Sequence, residues 1–344
     1  MKKLLLIAPD SIHTFNFLQL IEGSFEEVFL ITSGKSFDYK VKNEILYFGL
    51  RNPFKWFTTI NQIKNIYSKF KPDLVHVHQA NSFAFYSLHA LKKRYVPLIL
   101  TAWGSDILLN SQRGFPLANI LKYNLSHADF FTSDSKYMAS KMVQIANRKL
   151  DITIANFGFV PYPVECQKEN IIYSNRSHTP LYRINSIIQS FHLFIKKSTG
   201  WKLVIAGHGK DTELLKKLCL DLNIEDKVLF VGFVNSKENA VWYQRSKIFV
   251  SVPESDATSI SLLEAMYYGC IPVLSDLPAN HEWVTDGYNG CIVNNLDSEF
   301  ITPALSLNPV TVQTINQKFM NEAGTNSANK KIFIDLYHRV LNEN

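Results

Sequence analysis

The sequence contains little cysteine and lacks the motifs of the common metal and nucleotide sites. Its four cysteines, at positions 166, 219, 270 and 291, form no CxxC pair and have no His/Cys ligand spacing. This favours reduced, packed thiols of a cytosolic protein over a disulfide scaffold or a zinc site. Walker motifs, HExxH and DxD triplets do not occur. We therefore expect no metal, and in particular none held by a pair of aspartates.

Long apolar runs are also missing. No run approaches the roughly 20 residues that cross a bilayer. The first residues, Met1-Lys-Lys-Leu-Leu-Leu-Ile-Ala-Pro9, contain only about five apolar residues in a row, fewer than the ~7–15 of a signal-peptide core. We interpret them as a first buried strand and expect a cytoplasmic protein.

The composition is that of a globular protein with one basic half. With 344 residues, 46% hydrophobic and 19% charged, the chain suits two domains of ordinary size. Residues 1–165 hold 19 Lys and Arg against 12 Asp and Glu, whereas residues 166–344 hold 17 against 18. The basic half favours an anionic partner.

Apolar strands alternate with helical segments along the chain, which is typical of parallel βαβ units in doubly wound sheets. The strands predicted in the first half are Leu4–Ile7, Glu27–Ile31, Ile45–Phe48, Leu74–His78, Leu98–Thr101, Phe130–Ser133 and Ile152–Ile154. Those predicted in the second half are Ile171–Tyr173, Leu203–Ala206, Val228–Val231, Ile248–Val250, Ile271–Leu274 and Cys291–Val293. Helices are expected between them, such as Phe15–Ile21, Phe54–Phe70 and Asn81–Arg94. The pattern predicts two Rossmann-like domains facing across a cleft.

A stretch with one glycine and two prolines, Asn156–Gln167, is predicted to join the two domains. We place the N-terminal domain at residues 1–160 and the C-terminal domain at residues 166–325. Residues 326–344 belong to a long helical region, 311–343, and are expected to return to the first domain.

The most informative stretch is residues 251–274, where a strand, a polar loop, a helix start and another strand follow one another. Ser259 or Ser261 opens the predicted helix, which ends at Gly269. Free N–H groups at a helix start bind phosphate. Seven residues separate Asp256 from Glu264, and a carboxylate at Glu264 can accept two hydrogen bonds from a ribose diol. The stretch indicates a nucleotide-sugar site.

Two simpler interpretations apply to these motifs. Ser261-Leu-Leu-Glu264 also fits a capping box, in which the glutamate satisfies a free donor at the helix start. Gly207-His-Gly209 follows a predicted strand, but it lacks a complete GxGxxG and is a weak signal for a phosphate loop.

Taken together, these segments resemble the family 4 retaining glycosyltransferases of GT-B architecture over nearly the whole chain. The resemblance makes the first domain the acceptor domain and the second the nucleotide-sugar donor domain. It implies that Asp256, where relatives usually have glutamate, contacts donor-sugar hydroxyls and that Glu264 binds the ribose. Backbone amides of Ser259, Ile260 and Ser261 would hold the distal phosphate.

The same resemblance assigns two arginines to the leaving group. Ile171 to Arg183 is similar to the family's strand followed by an arginine and a second basic residue. Without a metal, the charge growing on a nucleoside diphosphate must be met by cations, so Arg176 and Arg183 are the candidates. Two surface arginines on a loop are the alternative.

Further landmarks of that fold match on the donor side. Gly207 belongs to one of them, and the turn that contains Phe233 and Val234 lies where the family packs the nucleobase. For Phe233 we favour a core position over a stacking platform.

In the first domain, polar residues follow two predicted strands, and strand ends point towards ligands in open α/β sheets. The resemblance places a histidine such as His78, together with Ser105 and Asp106, near the transferred sugar and the acceptor. His76 lies on the same face of the predicted strand as His78, so either one is the functional histidine. We favour His78 because it ends the strand. Ser11 and His13, with Asp10, are further acceptor-side candidates, because the family's Gly-Gly loop after the first strand is missing here.

The function implied is metal-independent transfer of a hexose, with retention, from a nucleotide-diphosphate sugar, UDP-sugar favoured, without a resident cofactor. The acceptor is a saccharide or a lipid-linked saccharide in bacterial surface-polysaccharide synthesis. The alternatives are a nucleotide-sugar 2-epimerase of the same fold and a non-catalytic glycosyltransferase-like partner subunit.

Basic and aromatic residues in Phe54–Phe70 and Lys92–Tyr95 favour peripheral contact with the anionic inner face of the plasma membrane. The alternative is a helix packed on its own sheet with lysines in solvent. Nucleic acid is not expected, since no recognition motif accompanies the basic residues.

Overall fold

A computed structural model describes residues 2–109 and 115–342. The chain divides into two compact units. Unit 1 comprises Met1–Phe157 and Asn329–Asn344, and unit 2 comprises Gly158–Ala328.

Unit 1 is built on a parallel sheet of seven strands in the order β3-β2-β1-β4-β5-β6-β7. Its central strands are continuous apolar runs because both faces of a parallel sheet are covered; Leu4, Leu5, Leu6 and Ile7 are all fully buried. The strands are β1 Lys3–Ile7, β2 Glu27–Thr32, β3 Lys42–Ile45, β4 Leu74–His78, β5 Leu98–Thr101, β6 Phe130–Ser133 and β7 Ile152–Ile154.

The helices of unit 1 lie between these strands, apart from the last helix of the chain. They are α1 Ile12–Leu20, α2 Pro53–Phe70, α3 Ser82–Ala90, α4 Ser105–Leu108, α5 Phe115–His127, α6 Lys136–Ala146 and α12 Asn326–Asn342. In α12, the buried side chains of Phe333, Leu336, Tyr337 and Val340 join the core cluster that contains Phe17. The C-terminal helix is therefore part of the core of unit 1.

Unit 2 has a parallel sheet of six strands in the order β10-β9-β8-β11-β12-β13. The strands are β8 Glu169–Ser174, β9 Lys202–Ala206, β10 Val228–Gly232, β11 Ser246–Ser251, β12 Ile271–Ser275 and β13 Cys291–Val293. The helices are α7 Ile184–Phe194, α8 Thr212–Asp221, α9 Ser236–Arg245, α10 Ile260–Tyr267 and α11 Pro309–Phe319.

Lys168 ties two of these helices together at their C-terminal ends. Its Nζ donates to the carbonyl oxygens of Tyr243 at 2.9 Å, Ser246 at 2.7 Å and Tyr268 at 2.7 Å. Ser246 is the C-cap of α9 and Tyr268 is the C-cap of α10. A single ammonium thus donates to carbonyl groups at the ends of both helices.

The alternating pattern predicted twelve of the thirteen strands in the described residues to within two residues at either end. The exception is β3, which was predicted at Ile45–Phe48 and pairs at Lys42–Ile45. All four of its residues are exposed at the sheet edge, whereas Leu46 and Phe48 beyond it are buried. The apolar residues on which the prediction was based therefore lie mainly just after the strand.

Two helix predictions also need correction. The helix expected at Asn81–Arg94 ends at Ala90. The helical region expected at 311–343 is divided into α11 and α12 by a π-helical turn, Met320–Gly324. Thr325, which follows that turn, is extended (φ −77°, ψ 157°), so the chain changes direction there.

Candidate active site

Two loops meet at the switch point of the unit 2 sheet. Strands β8 and β11 are neighbours, although β9 and β10 lie between them in sequence. Ligands of open α/β sheets bind outside the carboxyl ends of such a strand pair. The loop after β8 carries Arg176, and the loop after β11 carries Asp256. The structure brings these two predicted site residues into direct contact.

The guanidinium of Arg176 is held at its edge and on its face. Nη2 donates to Oδ2 of Asp256 at 2.6 Å, and Nη1 donates to Oγ of Ser259. The ring of Tyr182 covers the guanidinium, with 4.5 Å from Cζ to the ring centroid. Burial opposes the charge, but the combined effect of Asp256, Tyr182 and Tyr243 outweighs it, and the pKa of Arg176 is raised. Arg176 is thus a fixed positive charge whose side chain is only 10% exposed.

Arg183 lies on the same loop in a more open environment. It precedes α7 with a left-handed backbone, φ 49°. Its Nε lies 3.4 Å from Oε1 of Glu254, and the two side chains are 35% and 56% exposed. Exposed pairs of this kind contribute little to stability. Arg183 is therefore a solvent-accessible cation, whereas Arg176 is a buried one.

The Gly207-His-Gly209 loop provides a close packing surface for the Arg176 loop. Gly207 has a φ of +110°, and a Cβ built there would lie 2.5 Å from the carbonyl oxygen of Arg176. A Cβ at Gly209 would overlap the carbonyl oxygen of His178. The His178 ring is buried, with Nδ1 2.9 Å from Oγ1 of Thr212. The glycines are needed because backbone approaches backbone here. A donor contact at Gly207 stays a prediction.

The start of α10 lies beside the Arg176 guanidinium. The helix begins at Ile260, and Ser259 is its N-cap and also the acceptor for Arg176. Amides in the first turn of a helix have no intrahelical acceptor, which is why the phosphate contact was predicted at Ser259, Ile260 and Ser261. An anion at this point would meet a buried cation and a helix N-terminus together.

Glu264 does not cap its helix. Because α10 begins at Ile260, Ser261 lies inside the helix, and Ser259 makes no side-chain cap hydrogen bond. The Glu264 carboxylate instead accepts a hydrogen bond from Nδ2 of Asn239, 3.0 Å away. The capping-box interpretation is therefore wrong.

Neutral groups from α9 and β8 surround the Glu264 carboxylate. Tyr243 gives it a second hydrogen bond. Oδ1 of Asn239 accepts from Oη of Tyr173 at 2.6 Å and from Nδ2 of Asn175 at 3.1 Å. Burial raises the pKa of Glu264 to about 7, against the lowering effect of the Tyr243 hydrogen bond. The empty protein therefore holds this carboxyl close to its midpoint of ionisation at neutral pH.

Sequence reasoning missed three residues of this site, namely Tyr182, Asn239 and Tyr243. Tyr182 had a usable signal, since it is an aromatic residue directly before a candidate cation. Asn239 and Tyr243 lie on a different helix, more than 20 residues before Glu264, and no motif links them to it. Their role follows from the packing of α9 on α10.

Phe233 is not a core residue. It follows β10 directly and is 87% exposed, so the interpretation as core is wrong. The preceding Gly232 adopts φ +68°, which turns the chain at the strand end. Val234 is half-buried and packs against the core of unit 2. An exposed aromatic face at the carboxyl end of a strand is available for stacking.

In unit 1 the structure separates the two histidines of β4. His76 is a satisfied core residue, with Nδ1 2.9 Å from Oη of Tyr337 and Nε2 2.6 Å from Oγ1 of Thr101. His78 is equally buried, but neither of its ring nitrogens has a hydrogen-bond partner in the part of the chain that the structure describes. The ring of Phe157 stacks on that of His78 at 5.5 Å between centroids. Burial lowers the pKa of both histidines, so both are neutral at pH 7.

Asp106 connects the loops that follow β4 and β5 by hydrogen bonds. Its Oδ2 accepts from the Ala80 amide at 2.6 Å, and its Oδ1 accepts from the Trp103 amide at 2.8 Å. Burial raises the pKa of Asp106 to about 6, against the lowering effect of these amides. Both carboxylate oxygens thus hold these loops in place at the carboxyl edge of the sheet. Ser105 beside it is exposed.

The remaining acceptor-side candidates lie at the start of α1. Ser11 is the N-cap, and its Oγ accepts from the Thr14 amide at 3.2 Å. The His13 ring is exposed to solvent and meets Trp103 edge-on at 5.2 Å between centroids. Asp10 accepts from Oη of Tyr39 at 2.5 Å.

Two kinds of feature, a cluster of metal ligands and a membrane-spanning helix, are absent from the described residues. No cluster of three or more His, Cys, Asp or Glu side chains suited to a metal ion was found between residues 2–109 and 115–342. Within the same ranges, no helix is both long and apolar enough to span a membrane.

Comparison with known families assigns a model to each half of the chain. Residues 163–305, all within unit 2, match "Glycosyl transferases group 1". Residues 2–135, all within unit 1, match "Glycosyl transferase 4-like". Together the two matches support a GT-B glycosyltransferase.

Curated relatives match parts of the chain at low identity. Alpha-monoglucosyldiacylglycerol synthase of Streptococcus pneumoniae is 27% identical over 32% of this chain and 25% of the relative. The O-antigen chain mannosyltransferase RfbU of Salmonella typhimurium is 28% identical over 32% of each protein. The chain thus spans about a quarter to a third of the length of these relatives.

Solved structures resemble the chain over its full length. Sucrose-phosphate synthase of Thermosynechococcus elongatus has a TM-score of 0.83 at 14% identity and covers 100% of both chains. HepE of Anabaena, solved in complex with UDP-glucose, has a TM-score of 0.78 at 12% identity, covering 98% of this chain and 100% of its own. With two parallel-sheet α/β units and these neighbours, the chain has the GT-B fold.

Proposed function

We propose that the protein is a metal-independent retaining glycosyltransferase. It moves a hexose from a nucleoside-diphosphate sugar, with UDP favoured, to a saccharide or lipid-linked saccharide acceptor in bacterial surface-glycan synthesis. The observation that carries the proposal is the buried Arg176 guanidinium in contact with Asp256 and with the N-cap of α10 at a sheet switch point. The glycosyltransferase families of both halves and the glycan-building relatives support it.

The leaving group is the part of the reaction that this site explains best. Cleavage of the anomeric C–O bond leaves negative charge on the diphosphate. Preorganised cations and amides aimed at such charge lower the barrier without rearrangement. Arg176 supplies a buried cation, Arg183 a solvent-accessible one, and Ser259 to Ser261 the helix-start amides. Glu264 accepts hydrogen bonds from the ribose, and the exposed ring of Phe233 covers the base.

Retention follows if the acceptor attacks the face that the diphosphate leaves. The acceptor oxygen forms the new bond to the anomeric carbon, and its proton passes to the departing phosphate oxygen. No enzymic nucleophile is needed, so the work of the protein is positioning and electrostatics. The neutral imidazole of His78, whose two ring nitrogens have no partner among the described residues, can donate one hydrogen bond and accept another from sugar hydroxyls once the Phe157 ring that stacks on it moves aside.

The test is a donor screen with purified protein. UDP- and GDP-sugars are compared by melting shift and by nucleotide release, with and without saccharide acceptors. Transfer that keeps the anomeric configuration, read by NMR, supports the proposal. Nucleotide release with an epimerised sugar and no acceptor indicates a 2-epimerase, and binding without turnover indicates a non-catalytic subunit.

A pair of arginine variants localises the chemistry. Arg176→Ala is expected to lower the transfer rate by about 10²–10³-fold, as the loss of one oxyanion-stabilising donor does. Arg245→Ala is the matched control, because Arg245 pairs with Glu169 in an exposed position of the same unit. Transfer that survives Arg176→Ala unchanged would remove the leaving-group assignment.

We further propose that unit 1 rests on an anionic membrane surface. Between residues 45 and 105 there are eight Lys and Arg and one acid, Asp73. Within this stretch, Phe54 and Phe57 at the start of α2 are 87% and 74% exposed. Exposed aromatic residues beside basic ones are typical of helices that lie at a lipid interface.

Vesicle sedimentation tests this contact. The full chain is expected to sediment with phosphatidylglycerol vesicles and to stay in solution with phosphatidylcholine vesicles. A Phe54→Ser/Phe57→Ser double variant is expected to lose binding. Leu214→Ser is the control, because Leu214 is 67% exposed on α8 of unit 2, which has no excess of basic residues. Equal binding by both variants would contradict the contact through α2.

A further inference from the structure

The Arg176 guanidinium has the properties of a built anion site. Its side chain is 10% exposed, and its plane is fixed by the ring of Tyr182 and the hydroxyl of Ser259. A guanidinium held in this way presents N–H groups in a set direction and suits an oxygen anion of fixed geometry. The direction that remains is filled by the carboxylate of Asp256, 2.6 Å away.

Asp256 is held much less firmly than its partner. It lies in the loop between β11 and α10. Among the described residues, its second oxygen accepts a hydrogen bond only from the amide of the next residue, Ala257, at 3.0 Å. Its side chain is 20% exposed, twice the exposed fraction of Arg176. Rotation of one side chain is therefore enough to separate the pair, while the arginine keeps its other supports.

We infer that Asp256 is the resident counter-ion of Arg176 in the empty protein and that the diphosphate of the donor displaces it. A phosphate oxygen takes the place of Oδ2 at Nη2, and the freed carboxylate turns to accept hydrogen bonds from the donor sugar. This exchange rests on the proposed function, because it assigns Asp256 to the donor. It adds an order of events: phosphate binding at Arg176 releases the residue that recognises the sugar.

Electrostatics explains why the two anions do not share the cation. Two negative oxygens at one buried guanidinium edge repel each other, and the small exposed fraction of the pair limits screening by solvent. The neighbouring pair, Arg183 and Glu254, differs in both respects. Its atoms are 3.4 Å apart and its side chains are 35% and 56% exposed, so solvent screens it and a phosphate has little to displace.

The exchange predicts that replacing a residue of the donor site strengthens the binding of a diphosphate. Asp256→Asn removes the competing charge and keeps the shape, so the affinity for a free diphosphate should rise while sugar transfer falls. Because the diphosphate no longer has to displace a charged hydrogen-bond partner, we expect about tenfold tighter binding, which corresponds to ~1.4 kcal/mol. If Asp256 only positioned Arg176, the same variant would bind more weakly.

The experiment is isothermal titration of the full chain with UDP, GDP and inorganic pyrophosphate. Wild type, Asp256→Asn and Asp256→Ser are compared, with melting curves to verify folding; Ser is the second variant in case Asn misfolds. Glu254→Gln is the matched control, since it removes one negative charge from the same loop. Tighter diphosphate binding in both Asp256 variants, exceeding that in Glu254→Gln, supports the exchange.

The outcomes that would contradict the exchange differ from those that would contradict the proposed function. Unchanged or weaker binding in the Asp256 variants overturns the exchange, and so does an equal gain in Glu254→Gln, which would reflect the local field alone. If pyrophosphate tightens while UDP and GDP bind neither wild type nor variants, the exchange stands and the proposed donor class fails. If none of the three probes binds any protein, both are refuted.

Discussion

Glu264 is expected to destabilise the empty protein at neutral and alkaline pH. Its carboxyl is half-buried among Asn239 and Tyr243, and burial raises its pKa from 4.5 to about 7. A carboxyl with a raised folded-state pKa favours folding below its unfolded pKa, near 4.5. That contribution is lost as the pH rises through about 7, because the folded protein then has to ionise a buried group.

The size of the effect follows from the shift. One pKa unit corresponds to about 1.4 kcal/mol, so the shift is worth at most about 3 kcal/mol at pH 8. Glu264→Gln keeps the shape and removes the ionisation. For a unit of this size 1 kcal/mol moves the melting temperature by about 2–4 °C. The variant should therefore melt up to about 12 °C above wild type at pH 8, and within about 3 °C of it at pH 5.

The assay is thermal unfolding followed by circular dichroism at pH 5, 6, 7 and 8, without nucleotide. Glu254→Gln is the control, because Glu254 is an exposed carboxylate of the same unit and should change little at any pH. A Glu264→Gln protein that melts at or below wild type at pH 8 would refute the argument. So would a gain in stability that does not depend on pH.

Three further predictions concern structural contacts. Lys168→Met should lower the free energy of unfolding by about 3 kcal/mol in urea, since three carbonyl oxygens lose a charged donor; exposed Lys196→Met is the control, and equal losses would contradict the role of the ammonium. Asp106→Ala should cost about 2–3 kcal/mol, because two amides of the loops after β4 and β5 lose their acceptor; unchanged unfolding would contradict this. Gly209→Ala should both destabilise unit 2 by about 1–3 kcal/mol and weaken UDP binding by displacing the Arg176 loop. Gly200→Ala meets no atom within 4 Å but has a left-handed φ of +79°, so it adds backbone strain without displacing a loop and is the control for UDP binding; UDP binding that is equal in the two variants would contradict the displacement.

The sequence was a good guide where burial is strong. The central strand β1 is an unbroken apolar run from Leu4 to Ile7, because both faces of a parallel sheet are covered. The edge strand β3 has no such pattern, since all four of its residues face solvent. Its position depends on pairing with β2, which local residue patterns do not record.

The candidate site was predictable where one loop carries the motif and not where packing completes it. Arg176 and Asp256 could be named from their motifs, but their mutual pairing depends on β8 and β11 being neighbours. The capping interpretation of Glu264 used only residues within one turn. The actual partner, Asn239, lies 25 residues away. Phe233 was misjudged because an apolar residue beside a strand is usually buried, and here it is 87% exposed.

The division of unit 1 between the two ends of the chain has a consequence for synthesis on the ribosome. Residues 158–328 are continuous and can close their own core as soon as they emerge, whereas unit 1 has to wait for α12. Until then His76 lacks Tyr337, and the core that contains Phe17 lacks its last apolar helix. The half that is translated first is thus the half that finishes folding last, and it is the half most exposed to early aggregation or proteolysis.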